Sequence, residues 1–116
     1  PAGLVEEGEG YREAGIRELK EETGLSLELI DADPMFEKPG FMSVGMTDES
    51  CATIYGYASG TPSKKGQEDS EEIEIVLADR EEVKRILKEE KVAIMCSYML
   101  MHFIHDKEPF EFLKEL

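Results

Sequence analysis

The sequence predicts a single domain of the α/β (α+β) class. One observation is a helical segment over residues 10–23, followed by Gly24, a residue type that readily takes the left-handed conformation at a helix end. Another is the alternation of apolar residues over 25–30 and 72–77, which is typical of half-buried strands. The length of 116 residues suits one hydrophobic core rather than two.

The elements after the first helix and strand are predicted from local patterns. Residues 51–57 have the β-branched and aromatic content of a strand, and residues 59–70 are predicted to form a loop. Asp79 is expected to cap a helix over residues 80–90. A last helix over 92–105 is apolar around much of its circumference, so we expect it to be the more buried of the two.

Acidic residues dominate the charge of this chain. It carries 27 Asp and Glu against 13 Lys and Arg, a formal net charge of −14 at pH 7. A surface of this sign repels the phosphates of nucleic acids and anionic lipids, so we expect neither nucleic acid nor membrane as a partner. Two cysteines are too few for a disulfide framework. They predict a reducing compartment, and we expect a cytoplasmic protein.

Three glutamates share one face of the first helix. Glu18, Glu21 and Glu22 stand at positions i, i+3 and i+4, which places their carboxylates within roughly 100° of the helix circumference. Like charges at this spacing destabilise a helix by roughly 0.2–0.5 kcal/mol per pair, and a divalent cation would reverse that penalty. Because all the donors are oxygen, the pattern favours Mg²⁺ or Mn²⁺. Ile16 and Leu19 lie away from this face and are expected to point into the core.

The residues around this face follow a fixed spacing. They read Gly3, five residues, Glu9, seven residues, Arg17-Glu18-Leu19, one residue, Glu21-Glu22, one residue, and Gly24-Leu25. This stretch resembles the Nudix box, G-x5-E-x7-R-E-U-x-E-E-x-G-U with U aliphatic, and fills every fixed position. The alternative interpretation is an ordinary solvated amphipathic helix. The resemblance implies a Nudix-type α/β/α sandwich with a mixed sheet.

The resemblance also implies hydrolysis of a nucleoside diphosphate linked to another group, with Mg²⁺ (or Mn²⁺) held by the box glutamates. It implies Glu18 and Glu22 as the main ligands and catalytic carboxylates, Glu21 as a third ligand, and the backbone carbonyl of Ala2 as a further one. Arg17 precedes Glu21 by four residues, so it can form a helical ion pair that orients this carboxylate. The alternative for Arg17 is a weak surface pair.

A second, less specific resemblance lies outside the box. Pro39-Gly40 and the later Gly-Met-Thr-Asp-Glu segment, which contains Thr47 and Glu49, are similar to the ADP-ribose pyrophosphatase branch. Residues 41–44 separate the two pieces, which departs from the branch's pattern, and the alternative for Pro39-Gly40 is a plain turn. The branch implies that these four residues bind a nucleotide sugar, ADP-ribose, which is cleaved to AMP and ribose 5-phosphate. It also implies a homodimer.

The same branch supplies its general base from a loop glutamate. Glu71 or Glu72, just before a predicted strand, matches in kind, with Glu68 and Asp69 as further candidates. The alternative is a plain solvated acidic loop. Other substrates of the family, dinucleoside polyphosphates or oxidised dNTPs, remain open, as does a non-catalytic module that only binds or senses a nucleotide sugar.

The position of the box predicts an incomplete fold. In the fold that the box implies, strands precede it, yet here only Pro1 and Ala2 come before Gly3. We therefore expect residues 1–116 to be a single Nudix hydrolase domain that is truncated at its N-terminus. Alone, such a chain is expected to associate through an exposed sheet edge or to fold weakly, with little activity.

Overall fold

Helices and short strands are mixed along the chain. The computed structural model describes residues 1–114, and the elements within them are the helices α1 (Tyr11–Thr23), α2 (Arg80–Glu89) and α3 (Ile94–His105), the strands β1 (Ser26–Leu29), β2 (Gly40–Phe41), β3 (Ser50–Cys51) and β4 (Gly56–Ser59), and two short 3-10 helices, Pro34–Phe36 and Glu111–Leu113. This composition confirms the predicted α/β (α+β) class. The chain divides into two compact units, Pro1–Ile75 and the residues from Val76 onward.

The first unit is built from α1 and a strand pair. Gly24 ends α1 with φ of 76°, and its N–H donates to the carbonyl of Lys20 at 2.9 Å, so a residue without a side chain is needed at this point. The chain then enters β1, which pairs antiparallel with β4, with Leu27 opposite Ala58. Helix α1 contacts β1, and Ala14 of α1 and Leu25, just before β1, are buried.

A second strand pair lies in the same unit. Strands β2 and β3 are antiparallel, with Gly40 opposite Cys51 and Phe41 opposite Ser50. Phe41 and Val44 are exposed in this hairpin. Both sheets are two-stranded and antiparallel, so the parallel pairing that a mixed sheet requires is not found within residues 1–114.

The second unit contains α2 and α3, which pack against each other. The predicted cap is present, because the carboxylate of Asp79 accepts a hydrogen bond from the backbone N–H of Glu82 at 2.8 Å. Arg80 donates to the carbonyls of Phe103 and Asp106 at 3.1 and 2.8 Å. The first of these bonds satisfies a carbonyl that the last turn of α3 leaves without a helical partner.

Three expectations about the fold were wrong. Residues 72–77 form no regular strand, because alternation of apolar residues reports which way side chains point, whereas a strand also needs a hydrogen-bonding neighbour. Helix α3 has no buried residue. Ile16 is 40% exposed, and the residues that α1 buries are Ala14, Glu22 and Thr23.

No helix among residues 1–114 combines the length and apolar character needed to cross a bilayer.

Candidate functional site

The predicted box glutamates line one open cavity in the first unit. Its volume is about 390 Å³, and its lining residues are Ala2, Gly3, Leu4, Glu6, Arg17, Glu18, Glu21, Glu22, Glu68 and Glu71. Three chain segments contribute to this wall: the residues before α1, the helix itself, and the loop that follows β4. Six glutamates face a single arginine, so the cavity is strongly acidic, and we refer to it as the acidic cavity.

Arg17 is the centre of the hydrogen-bond network in the acidic cavity. Its Nε and Nη2 donate to the two carboxylate oxygens of Glu9 at 2.8 and 2.9 Å. Its Nη1 donates to Glu18 at 2.9 Å and to Glu21 at 3.2 Å, so the predicted helical pair is present. Nη2 also donates to the carbonyl of Leu4 at 2.9 Å. One guanidinium therefore ties the segment before the helix to two of the box carboxylates.

The role of Glu9 was missed by reasoning from helical spacing, although Glu9 fills a fixed box position that could have pointed to it. The two-point hydrogen bond from Arg17, with the backbone N–H of Glu6, lowers the pKa of Glu9 to about 2. The same bond raises the pKa of Arg17, which stays charged at any physiological pH. The pair is thus a permanent, charge-assisted contact at the edge of the cavity.

Glu22 is the most deeply placed of the three box glutamates. It is 6% exposed, whereas the side chains of Glu18 and Glu21 are 17% and 42% exposed. Burial raises the pKa of Glu22, and the nearby negative charges of Glu18 and Glu71 act in the same direction. The backbone N–H of Ala2 donates to Glu22 at 3.2 Å and partly offsets this. A bound cation would stabilise the ionised form of a carboxylate in such surroundings.

The segment before the helix lies directly against Glu18. A Cβ added to Gly3 would lie 2.0 Å from the Cδ atom of Glu18, far inside van der Waals contact. Any larger residue at this position would force the Glu18 carboxylate to move from its present place. Glycine at the first position of the spacing therefore leaves room for the Glu18 carboxylate beside the backbone.

The acidic cavity has donors that suit a hard divalent cation. The glutamate side chains offer oxygen alone, and Mg²⁺ and Mn²⁺ prefer such ligands. Within residues 1–114, however, no three acidic, histidine or cysteine side chains converge closely enough to hold a metal ion. Instead, Arg17 holds Glu18 and Glu21. The oxygen donors are thus of the type that the cation prefers. In this structure, however, the carboxylates of Glu18 and Glu21 contact the guanidinium of Arg17.

The two candidates for the base differ in where they lie. Glu71 is half-buried and lines the acidic cavity, whereas Glu72 is exposed and is not part of its lining. Glu68, one of the further candidates, also lines the cavity and donates its backbone N–H to the Glu71 carboxylate at 2.9 Å. The loop thus presents Glu68 and Glu71 to the box glutamates.

The residues predicted to bind substrate lie in or beside the β2–β3 hairpin. Pro39, Gly40, Thr47 and Glu49 are all exposed, and none of these four described residues lines the acidic cavity. The hydroxyl of Thr47 accepts a hydrogen bond from the N–H of Glu49 at 3.1 Å, which shapes the turn between the strands. Their role in substrate binding stays a prediction.

Comparison with known proteins adds an independent finding. The NUDIX domain family profile matches residues 1–97. "Putative nudix hydrolase 2" of Caenorhabditis elegans is 35% identical over 86 residues, which cover 69% of this chain and 37% of that protein. "ADP-ribose pyrophosphatase" of Saccharomyces cerevisiae is 47% identical over 47 residues, which cover 40% of this chain and 20% of that protein. The chain thus matches about a third and a fifth of the length of these relatives. No solved structure matches it significantly.

Proposed function

This chain belongs to the NUDIX domain family, and from that premise we propose that it hydrolyses the pyrophosphate bond of a nucleoside diphosphate derivative with the help of Mg²⁺ (or Mn²⁺). The observation that carries the proposal is the acidic cavity, in which box glutamates from α1 meet glutamates of a later loop. A module that only bound a nucleotide sugar would gain nothing from crowding so many carboxylates against an anionic ligand.

The proposed metal ligands are Glu18, Glu21 and Glu22, with the backbone carbonyl of Ala2 as a further donor. When bound there, a divalent cation neutralises the pyrophosphate and lowers the pKa of water. The three proposed ligand side chains lie in different surroundings. Burial raises the pKa of Glu22, and a bound cation would stabilise its ionised form. Arg17 holds Glu18 and Glu21 through hydrogen bonds of 2.9 and 3.2 Å.

We assign the general base to Glu71. Its carboxylate lines the acidic cavity, whereas Glu72 is exposed to solvent. In the proposed reaction Glu71 accepts a proton from water, the water oxygen attacks one phosphorus, and the bond from that phosphorus to the bridging oxygen breaks. The bridging oxygen leaves with the other phosphate, which yields two phosphate monoesters.

ADP-ribose is the substrate that we propose, with AMP and ribose 5-phosphate as products. The yeast relative named for this activity supports it, as does the hairpin that contains Pro39, Gly40, Thr47 and Glu49. We keep these four residues as the proposed substrate contacts and a homodimer as the proposed assembly. A bound substrate would have to span from this hairpin to the acidic cavity.

The decisive experiment is a substrate panel with Mg²⁺ on the full-length protein, comparing ADP-ribose, dinucleoside polyphosphates and oxidised dNTPs. We expect the highest kcat/KM for ADP-ribose. Glu22→Gln should lower kcat by about a hundredfold or more, as loss of a metal ligand does. Glu13→Gln is the matched control, because Glu13 lies on α1 but outside the lining of the acidic cavity. Absence of hydrolysis of every substrate would refute the proposal, and a preference for a dNTP would refute the substrate.

A further inference from the structure

The loop that brings Glu68 and Glu71 to the acidic cavity crosses the C-terminal end of α1. There the last carbonyls of the helix have no partners within the helix itself. The backbone N–H of Ser63 donates to the carbonyl of Thr23 at 2.7 Å, and the side-chain amide of Gln67 donates to the carbonyl of Glu22 at 2.7 Å. The loop therefore caps the same helix end that carries the most buried box glutamate.

Gln67 makes two bonds with one nitrogen. Besides Glu22, its Nε2 donates to the carbonyl of Ile73 at 3.2 Å. A side-chain amide has two hydrogens on this nitrogen, and both are used. The two acceptors lie on different segments: one on α1, the other just after the loop. Gln67 thus links the backbone of Ile73, which follows Glu71 in sequence, to the backbone of Glu22.

The backbone of the loop also comes very close to the helix. A Cβ added to Gly66 would lie 2.8 Å from the carbonyl oxygen of Glu21 and 3.1 Å from its Cα atom. The contact is with backbone, so it cannot be relieved by rotation of a side chain. Gly66 therefore allows Gln67 to reach the helix end.

Electrostatics work against this arrangement. Glu68 and Glu71 lie in one cavity with the box carboxylates, and charges of the same sign repel each other. The Glu71 carboxylate is held by the backbone N–H of Glu68, a bond within the loop that does not tie it to the helix. The neutral amide of Gln67 bonds to the helix backbone and holds the loop against the repulsion between these carboxylates. It does so without adding charge.

We propose that Gln67 is a positioning residue: its amide fastens the acidic loop to the end of α1 and thereby places the carboxylate of Glu71 over the box glutamates. This rests on the proposed function, in which Glu71 accepts the proton from water. Gln67 itself touches neither substrate nor reacting atoms, and it acts on the base through the backbone.

The test compares the wild-type chain with Gln67→Leu and Gln67→Glu. Gln67→Glu keeps the length and shape of the side chain, Gln67→Leu is slightly shorter and apolar, and both lose the donors. Ser70→Ala, in the same loop and exposed, is the control. Amide hydrogen exchange over residues 66–73 measures the fastening without any need for catalysis. We expect it to be at least about threefold faster in both Gln67 variants, the effect of losing two hydrogen bonds, and unchanged in the control.

Steady-state kinetics with ADP-ribose supply the second measurement. We expect kcat to fall about tenfold in both Gln67 variants, with KM and the Mg²⁺ concentration for half-maximal activity within about twofold of wild type. A merely structural role would instead lower the melting temperature and speed exchange throughout the chain, and that result would overturn the proposal. Unchanged exchange over residues 66–73, or an unchanged kcat, would overturn it as well. A full-length wild-type protein that hydrolyses none of the substrates would refute the proposed function, and the exchange data would still decide whether Gln67 fastens the loop.

Discussion

Arg17 and Glu9 face each other through two parallel hydrogen bonds, Nε to Oε2 at 2.8 Å and Nη2 to Oε1 at 2.9 Å. This two-point contact sets the plane of the guanidinium, so the remaining nitrogen, Nη1, is aimed at Glu18 and Glu21. The two partners lie eight positions apart in sequence. The orientation of the box carboxylates therefore depends on a residue that precedes the helix.

The first prediction concerns the shape of this contact. In Arg17→Lys the charge is kept, but a single ammonium cannot bind Glu9 at two points and reach Glu18 and Glu21 as well. We expect kcat with ADP-ribose to fall about tenfold or more, with a smaller change in KM. Arg12→Lys is the control, since Arg12 lies on the same helix and pairs with Glu37 outside the acidic cavity. Equal kcat values in the two variants would contradict this role for Arg17.

The second prediction concerns pH. The pKa of Glu9 is about 2 in the folded chain, below its ordinary value of 4.5, so the folded state holds this proton less tightly than the unfolded state. The stabilisation from Glu9 is therefore fully present above about pH 4.5 and is lost as the pH falls toward about 2. Urea unfolding of wild type and Glu9→Gln between pH 6 and pH 2 measures it. The difference in free energy of unfolding should shrink over that window, and a difference independent of pH would refute the assignment.

The third prediction concerns the stability of the chain without metal. Burial raises the pKa of Glu22 in the folded state, so the negative charge of this carboxylate lowers the stability of the folded chain. Glu22→Gln removes this charge, and we expect the melting temperature without Mg²⁺ to rise by about 2–6 °C. The rise produced by Mg²⁺ in wild type should be absent in the variant. Glu13→Gln, exposed on the same helix, should behave as wild type does.

An outcome in which Glu22→Gln melts lower than wild type without Mg²⁺ would contradict the argument from burial. An outcome in which Mg²⁺ stabilises the variant as strongly as wild type would contradict the role of Glu22 as a ligand. The two parts are independent, because one is measured in chelator and the other in excess Mg²⁺.

The fourth prediction distinguishes the two adjacent glutamates of the loop. Glu71→Gln should lower kcat by about a hundredfold, the usual scale for loss of a general base, while Glu72→Gln should stay within about threefold of wild type. The reason is that Glu71 lines the acidic cavity and Glu72 is exposed. The Mg²⁺ concentration for half-maximal activity should be similar in both variants. If Glu72→Gln proves the more damaging substitution, the base has been assigned to the wrong residue.

Local chemistry was enough to predict several features of this chain. Gly24 marks the end of α1, and Asp79 caps α2 at the predicted place. The shared face of Glu18, Glu21 and Glu22 also follows from spacing alone, because the geometry of a helix is set by neighbours within one or two turns. The family followed from the same region, since all the fixed positions lie within residues 3–25.

Only the tertiary structure decided which of these side chains are buried and what they contact. Periodicity placed Ile16 in the core, yet it is exposed and Glu22 is buried, because burial depends on what packs against the helix. Residues 72–77 alternate as a strand does, but a strand needs a partner and they have no regular strand structure. The contact between Gln67 and Glu22 spans 45 residues. No local pattern encodes such a contact, because it exists only once the chain has folded back on itself.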